Sequence, residues 1–456
     1  MILKETRTNP LSESRRILIL GSGFAGVETL KDLQKEFNND KNIEIVLVSK
    51  DNFLLFTPML PEVSTGMVET RHILTPVRSF CRKASFFQGE VESIDLEERK
   101  VFLKHSIGRL SQPVSLHIHI LDYDFLVIAL GSEPNFFGMR DIEIHSFTMK
   151  DIDDAVTLRN HVINILEQAN LEHNNRKLCS KLLTFVVVGG GFNGIETVGA
   201  LNDYVRGTIM KFYKNIYPED VRIILVDAGK MILEQIDKDL GNYALRRLES
   251  KRVKFMLNTE VKNVTAEGIL MKDGTSIPCY SVIWTAGVAS SKMIATLKCE
   301  HDRENRIIAN NYLEILGYER VAYAIGDCAS IINPSTGNAY PPTAQHAIRQ
   351  GKTAAKNIIF EITGKGKKEQ FDHKTRGMMA DIGKRDGIAT LFGIKIHGFI
   401  AWWMWRTFYL GKLPTRSKRL KVLLDWTMDL FFKPDVSYFT FPQSRRIASN
   451  YPKVTF

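Results

Sequence analysis

Two short glycine-rich stretches carry the residue types suited to holding a pyrophosphate. Gly21-Ser-Gly-Phe-Ala-Gly26 and Gly189-Gly-Gly-Phe-Asn-Gly194 both follow the pattern G-x-G-x-x-G. In such a loop the first glycine makes a tight turn, the second admits phosphate close to the backbone, and the third lets a helix pack on a strand. The helix that follows offers unpaired N–H groups and a partial positive charge. Asp227, which closes Ile223-Ile-Leu-Val-Asp227, is the acid expected to bind an adenosine ribose after the second loop. A carboxylate there repels a 2′-phosphate and so favours NADH over NADPH, with Lys230 tempering the preference. After the first loop that position is Ser49, followed by Lys50, so a hydroxyl replaces the acid. Two dinucleotide sites in one chain suggest FAD and NADH, because hydride passes readily from a reduced nicotinamide to a flavin held against it.

Each loop needs a strand before it and a helix after it. Residues 16–20 and 183–188 read as apolar strands, residues 27–37 and 195–210 have helical spacing, and 43–48 and 221–226 are again strand-like. The architecture is duplicated. Further strands ending in glycine or aspartate are expected over 123–131, 281–287 and 321–327, and helices over 151–168 and 343–363. The pattern predicts an α/β fold of two Rossmann-like dinucleotide-binding domains, followed by a C-terminal amphipathic helical membrane-docking module. The FAD domain is expected over residues 15–146 and 291–375, the NADH domain over 147–290, and the module over 376–456.

Composition narrows the class. The 456 residues are 44% hydrophobic and 25% charged, an ordinary globular balance. Mean hydropathy is −0.12, and the longest strongly apolar stretch, 399–405, is far short of the ~18 residues a membrane span needs, so a polytopic membrane protein is excluded. The polar stretch 1–14 lacks a signal-peptide pattern. Five cysteines without C-x-x-C spacing argue for a reduced cytoplasmic compartment and against a zinc site, so no metal is expected.

The first loop, Leu126-Val-Ile-Ala-Leu-Gly131, the second loop and Ala324-Ile-Gly-Asp-Cys-Ala329 together resemble the two-dinucleotide-binding-domain flavoproteins. Within them the chain is most similar to type II NADH dehydrogenases, the single-chain NADH:quinone oxidoreductases. The stretches that carry this resemblance are 52–66, Asn-Phe-Leu-Leu-Phe-Thr-Pro-Met-Leu-Pro-Glu-Val-Ser-Thr-Gly; 342–351, Pro-Thr-Ala-Gln-His-Ala-Ile-Arg-Gln-Gly; and 423–432, Leu-Leu-Asp-Trp-Thr-Met-Asp-Leu-Phe-Phe. Arg349 stands where the family's quinone-site motif has its second Gln, and Pro61-Glu62 replace the more usual Tyr-Gln.

The resemblance implies a non-electrogenic enzyme: NADH reduces FAD by hydride transfer, and a membrane quinone is reduced in turn. FAD would be held by Gly21, Gly23, Phe24, Ala25, Gly26, Ser49, Lys50, Val91, Ala129, Gly131, Gly326, Asp327, Ala344 and Gln345, with Thr57 and Pro58 beside the isoalloxazine. NADH would be held by Gly189, Gly191, Phe192, Asn193, Gly194, Glu196 and Asp227, with Ala286 and Gly287 admitting the nicotinamide and Glu196 orienting it or passing protons. The catalytic candidates are Glu196, Gln345 and Lys384. Glu196 is expected in a first helical turn, where the helix dipole would favour its ionised form. Gln345 could hydrogen-bond the quinone head group or merely cap its helix. Lys384 could stabilise a reduced flavin, and His346 is a weaker choice. A sulfide:quinone oxidoreductase remains an alternative, although Cys328 has no obvious partner cysteine. So does a membrane-associated NADH/FAD sensor without turnover.

The net charge of +10 has an address. Residues 365–456 hold 18 Lys+Arg against 7 Asp+Glu, a surplus of 11, while residues 1–364 come to −1; four of the five tryptophans lie in the tail as well. Trp402, Trp403 and Trp405 with Arg406, then Trp426 near Arg416, Lys418, Arg419 and Lys421, fit the headgroup boundary of an anionic bilayer. No nucleic-acid module accompanies these charges. The protein is expected on the cytoplasmic side of the cell membrane as a peripheral protein, docking being compatible with a homodimer. Deleting residues 394–456 is expected to release it from anionic vesicles.

Overall fold

Strands buried on both faces read as unbroken apolar runs, and the runs before the two glycine loops form such strands. The computed structural model describes residues 2–4, 14–109, 112–373, 377–432 and 435–438. The chain forms two units, one drawn from residues 1–54, 75–133 and 288–374, the other from 55–74, 134–287 and 375–456.

The first unit is built on a five-stranded parallel sheet. Its order across the sheet is Ala322–Ala324, Phe125–Ile128, Arg15–Leu20, Ile43–Ser49 and Ser85–Gln88. Ile17 to Leu20 are wholly buried, and with Val46 to Val48 and Leu126 to Ile128 they form the core of this unit. Helix Phe24–Glu36 follows the first loop, and helix Ala344–Thr363 packs on it. Gly351 makes that packing possible, because a Cβ there would lie 2.5 Å from the carbonyl oxygen of Ala25.

The second unit repeats the arrangement. Phe147–Thr148, Ser281–Trp284, Thr184–Val188, Arg222–Val226 and Val253–Met256 form its parallel sheet in that order. In both sheets the strand entering the glycine loop is central, flanked on one side by the next strand of its unit and on the other by a strand ending near Gly131 or Gly287. Helix Phe192–Phe212 follows the second loop, and helix Ile152–Leu171 opens with a capping box at Asp151.

Both loop helices begin three residues earlier than their apolar spacing indicates, at Phe24 and Phe192. Gly23 and Gly191 are their N-caps in extended conformation. The third glycine of each motif therefore sits inside the first turn, where an apolar-periodicity reading has no signal.

The domain ranges read from sequence differ from these units in several places, the first being residues 134–146, expected in the FAD domain and found in the second unit. Residues 55–74 associate with the C-terminal residues and with helices Ile152–Leu171 and Phe192–Phe212, all in the second unit, and 375 onward joins that unit too. The C-terminal part contains the expected helices, Phe399–Lys412 and Arg416–Phe431, but a three-stranded antiparallel sheet precedes them: Gly377–Asp381, Gly387–Leu391 and Ile394–His397. Gly398, at φ +75°, turns the chain from strand Ile394–His397 into the helix that carries Trp402, Trp403 and Trp405. The part of the module beyond residue 438 lies outside the described residues.

Candidate functional site

The two glycine loops share one local geometry. At Gly21, φ is +104° and a Cβ would lie 2.1 Å from the carbonyl oxygen of Ala129; at Gly189, φ is +112° and a Cβ would meet Thr285 and Ala286 at 2.9 Å. At Gly26 and at Gly194 a Cβ would lie 1.9 Å from the carbonyl oxygen of the first glycine of the same loop. At Gly23 and Gly191 it would meet nothing within 4 Å. First and third glycines are walled in by backbone and the second opens to free space, which is the shape that admits a pyrophosphate against the helix N-terminus. The chain therefore fits a dinucleotide in each unit.

Around the second loop, Asp227 is placed at the tip of its strand. Its Oδ1 accepts from the Gly229 N–H at 2.6 Å and its Oδ2 accepts from the Gly190 N–H, so this carboxylate ties the glycine loop to the strand end. Asn193 binds the Met149 carbonyl through Nδ2 at 3.0 Å, and Gly287 turns at φ +87° beside Ala286.

In the first unit, Ser49 is buried and accepts from Ser22 Oγ at 2.9 Å, so the hydroxyl that replaces the acid braces the loop from the strand end. Val91 packs against the core. Gly326 turns at φ +75° into Asp327, whose Oδ2 accepts from Ser132 Oγ at 3.1 Å. Ala344 and Gln345 begin helix Ala344–Thr363, and the cap is Thr343, whose Oγ1 accepts from the His346 N–H. Capping is thus not the role of Gln345. Cys328 is fully buried, its thiol pushed up by burial to about 11, so it lacks the thiolate that redox exchange needs.

Five acids of the second unit line one cavity, Glu62, Glu196, Asp203, Asp381 and Asp429, and burial opposes the charge of three of them. Short helix Leu60–Ser64, held by the turn Thr57–Met59, presents Glu62. Helix Phe192–Phe212 presents Glu196, strand Gly377–Asp381 presents Asp381, and Pro58, Lys384 and Arg406 also line the wall. The cavity volume is about 40 Å³, several times the ~10–15 Å³ needed for one water. Glu196 Oε1 accepts from Trp405 Nε1 at 2.9 Å and from the Asp381 N–H at 3.2 Å. Glu62 Oε2 accepts from Trp426 Nε1 at 3.1 Å, and its Oε1 lies 3.5 Å from Arg406 Nη2. The Arg406 guanidinium is stacked between the rings of Trp402 and Trp426, 4.3 and 4.6 Å from their centroids. Lys384 is brought to the rim with its side chain exposed, and its N–H binds Asp203.

The charge state of Glu196 differs from the sequence expectation. The helix starts at Phe192, so Glu196 is its fifth residue and lies beyond the first turn in which it was expected, where a helix N-terminus would favour an ionised acid by roughly 0.3–1 kcal/mol; burial can raise a carboxyl by up to ~3–5 pKa units, each worth ~1.4 kcal/mol. Burial wins: it lifts Glu196 to about 8, against the Asp381 N–H and Trp405 hydrogen bonds that favour the anion. Asp381 is lifted to about 8 by burial and then by the charge of Glu62. Burial lifts Glu62 to about 7, with Arg406 and Trp426 opposing.

These acids keep protons in the folded state that the unfolded chain releases near pH 4.5, so ν_U − ν_N is negative and stability falls as pH rises from about 5 to 8. The melting temperature is expected to drop across that window, and to drop less in Glu196→Gln. Equal slopes for the two proteins, by differential scanning fluorimetry, would contradict the assignment.

Three features escaped the sequence reading. Gln350, next to the Arg349 departure, is buried and its Oε1 accepts from the Gly326 N–H at 2.7 Å, anchoring the Gly326-Asp327 turn. Trp405 and Trp426, expected at a lipid boundary, are 1% and 5% exposed and point their N–H groups at acids. The available signal was weak: Ala401 with Trp405, and Val422 with Trp426, are single i, i+4 pairs of buried residues on otherwise exposed helices. Asp381 and Glu62 had no motif to mark them as partners of Glu196.

Comparison with known proteins places this geometry among relatives. Residues 15–351 match the pyridine nucleotide-disulphide oxidoreductase family, and residues 375–435 match the NDH2 C-terminal domain. The chain is 30% identical over 441 residues to a probable NADH dehydrogenase of Dictyostelium discoideum, covering 96% of this chain and 94% of that one. It is 30% identical over 426 residues to a type II NADH:quinone oxidoreductase of Mycobacterium tuberculosis, covering 91% and 87%. NDH2 from Plasmodium falciparum, solved in complex with NADH, shares the fold at a TM-score of 0.84 and 20% identity, covering 93% of this chain and all of that one.

Proposed function

The chain belongs to the type II NADH:quinone oxidoreductases, within the pyridine nucleotide-disulphide oxidoreductase family, and from that premise we infer how its own residues divide the oxidation of NADH and the reduction of quinone. FAD, when bound, supplies the two-electron carrier between the nicotinamide and the quinone. The carrying observation is the duplicated loop in which only the second glycine faces open space.

Gly21, Gly23 and Gly26 hold the FAD pyrophosphate, Asp327 the ribityl side, and Gln350 fixes the turn that presents Asp327. Gly189, Gly191, Gly194 and Asp227 hold NADH. The carboxylate of Asp227 faces the ribose and repels a 2′-phosphate. By the family resemblance Thr57 and Pro58 would stand beside the isoalloxazine; Pro58 lines the acid cavity together with Glu196. Glu196 carries the proton and Gln345 donates its amide hydrogen to the quinone carbonyl. Against the sulfide:quinone alternative stands the buried, protonated Cys328.

Anaerobic stopped-flow spectroscopy tests this reading. NADH should bleach the flavin, and a short-chain quinone should restore it. A flavin that stays oxidised in excess NADH would overturn it.

Helices Phe399–Lys412 and Arg416–Phe431 dock the enzyme on anionic lipid at the cytoplasmic side. Phe399, Ile400, Trp403, Leu420, Leu424 and Phe431 are exposed, with Arg416, Arg419 and Lys421 beside them. An exposed apolar face flanked by cations suits a headgroup layer. No helix among the described residues is long and apolar enough to cross a membrane. Pairing of two copies through the same face would compete with lipid. Trp403→Glu with Phe431→Glu is expected to abolish sedimentation with phosphatidylglycerol vesicles while bleaching by NADH persists; undiminished sedimentation would refute the docking face.

A further inference from the structure

NADH oxidation by a quinone consumes one proton from solvent at each turnover. NADH gives up a hydride, two electrons and one proton, and the quinol needs two protons, so NADH + H⁺ + Q becomes NAD⁺ + QH₂. The second proton must wait somewhere near the quinone. Glu196 is the nearest candidate by motif, but the structure shows a second, more deeply buried carboxyl on the same cavity, and nothing in the reading above uses it.

That carboxyl is Glu62, 4% exposed on a helix of five residues. Both its oxygens face donors: Trp426 Nε1 at 3.1 Å on Oε2 and Arg406 Nη2 at 3.5 Å on Oε1. Arg406 is itself immobilised between two indole rings, and its Nε is buried without a hydrogen-bond partner. The cavity is lined by Glu62, Asp381 and Glu196 and has room for water, so the carboxyls share a path a proton can follow.

We propose that Glu62 stores the solvent proton each turnover consumes and passes it through the cavity to Glu196. The proposal rests on the NADH:quinone reading above. Glu62 acts through Glu196 and is in that sense a positioning residue.

Charged groups from several elements face this path. Helix Phe192–Phe212 turns Glu196 and Asp203 toward the cavity, and the strand and turn opposite supply Asp381, Lys384 and Arg385. The last helix adds Asp429 to the lining, and Asp425, bonded to His72, adds its charge from the same helix. Helix Ile152–Leu171 contributes Arg159, whose guanidinium lies against Gly66 at the end of the Glu62 segment. Arg406 is the cation in direct contact with Glu62. With Trp426 it favours the anion of Glu62, so a proton that moves on to Glu196 leaves behind a carboxylate already paired with a guanidinium and an indole N–H.

Glu62→Gln tests this in the FAD-loaded enzyme, because an amide copies the shape of the protonated acid and cannot release its proton. The expected result is normal bleaching by NADH and a quinone-dependent reoxidation slowed by roughly 10²-fold. Its pH profile should lose the decline that the wild type shows near neutrality. In a carbonyl-region infrared pH titration of the oxidised enzyme without substrate, Glu62→Gln should lack one protonated-carboxyl band that the wild type loses near neutrality. Glu62→Asp should restore the band and part of the rate. An unchanged band, or a wild-type pH profile of reoxidation in Glu62→Gln, would overturn the proposal while leaving the NADH reading intact. Absence of bleaching in the wild type would instead sink that reading, and the infrared comparison would still decide whether Glu62 holds a proton. Should Glu62→Gln fail to fold, the wild type against Glu62→Asp in the same titration decides the matter by a displaced band.

Discussion

In a Glu196→Gln variant, reoxidation of the flavin by quinone is expected to slow by roughly 10²- to 10³-fold, the span a positioned acid contributes, while bleaching by NADH stays near the wild-type rate. The amide keeps an acceptor for Trp405 Nε1 at 2.9 Å and for the Asp381 N–H at 3.2 Å, so the wall of the cavity is preserved. What disappears is a proton held at neutral pH by burial and released when the quinone takes charge. The wild-type rate should decline as pH rises through about 8, where Glu196 ionises, and the variant should show no such limb from this residue. Two-mixing stopped flow, reducing first with NADH and then adding a short-chain quinone across the pH range, separates the half-reactions. Equal reoxidation rates for variant and wild type would remove Glu196 from the proton route. The effect exceeds that expected for Glu62, because Glu196 is the last donor and Glu62 its supply.

Gly26→Ala should yield a protein without flavin. The added methyl would sit 1.9 Å from the Gly21 carbonyl oxygen, against backbone on a helix that cannot slide, since Gly351 of helix Ala344–Thr363 already packs on the carbonyl of Ala25. Overpacking typically costs ~1–3 kcal/mol, and here the atoms displaced are those that present N–H groups to the pyrophosphate. The measurements are the flavin-to-protein absorbance ratio and the melting temperature. Gly23→Ala is the control: its Cβ would meet no protein atom within 4 Å, so the fold should survive while the bound pyrophosphate is crowded. A fully flavinated Gly26→Ala protein of wild-type stability would show that the loop does not have the proposed function.

The contrast between those two glycines shows what sequence can carry. Spacing identified the loops, the flanking strands and their duplication, because pyrophosphate binding imposes a local pattern of residues only a few positions apart. Asp227 and Asp327 were legible for the same reason: each closes a strand within its own motif. The acid cavity was not. Glu62, Glu196, Asp381, Arg406 and Trp426 come from five elements as much as 364 positions apart, the span between Glu62 and Trp426, and no local pattern links them. Glu196 was singled out by its place after the second loop, but its burial, which opposes the ionised form expected for it, depends on the elements packed over it. The tail was read as a surface device because tryptophan and arginine are ambiguous in isolation. Their partners decide whether a ring lies in lipid, as an exposed Trp403 can, or seals an interior, as Trp405 does.

That double use of the C-terminal helices limits how they can be dissected. Cutting the chain at residue 394 would remove Trp405, Arg406 and Trp426 together, leaving Glu196 and Glu62 without their side-chain donors and the cavity without one wall. A truncated enzyme would then lose quinone reduction even when dissolved in detergent, where no membrane needs to be found. Attachment and proton handling are joined in one pair of helices: the outward residues can be altered singly, but the helices cannot be removed without opening the acid cavity to solvent.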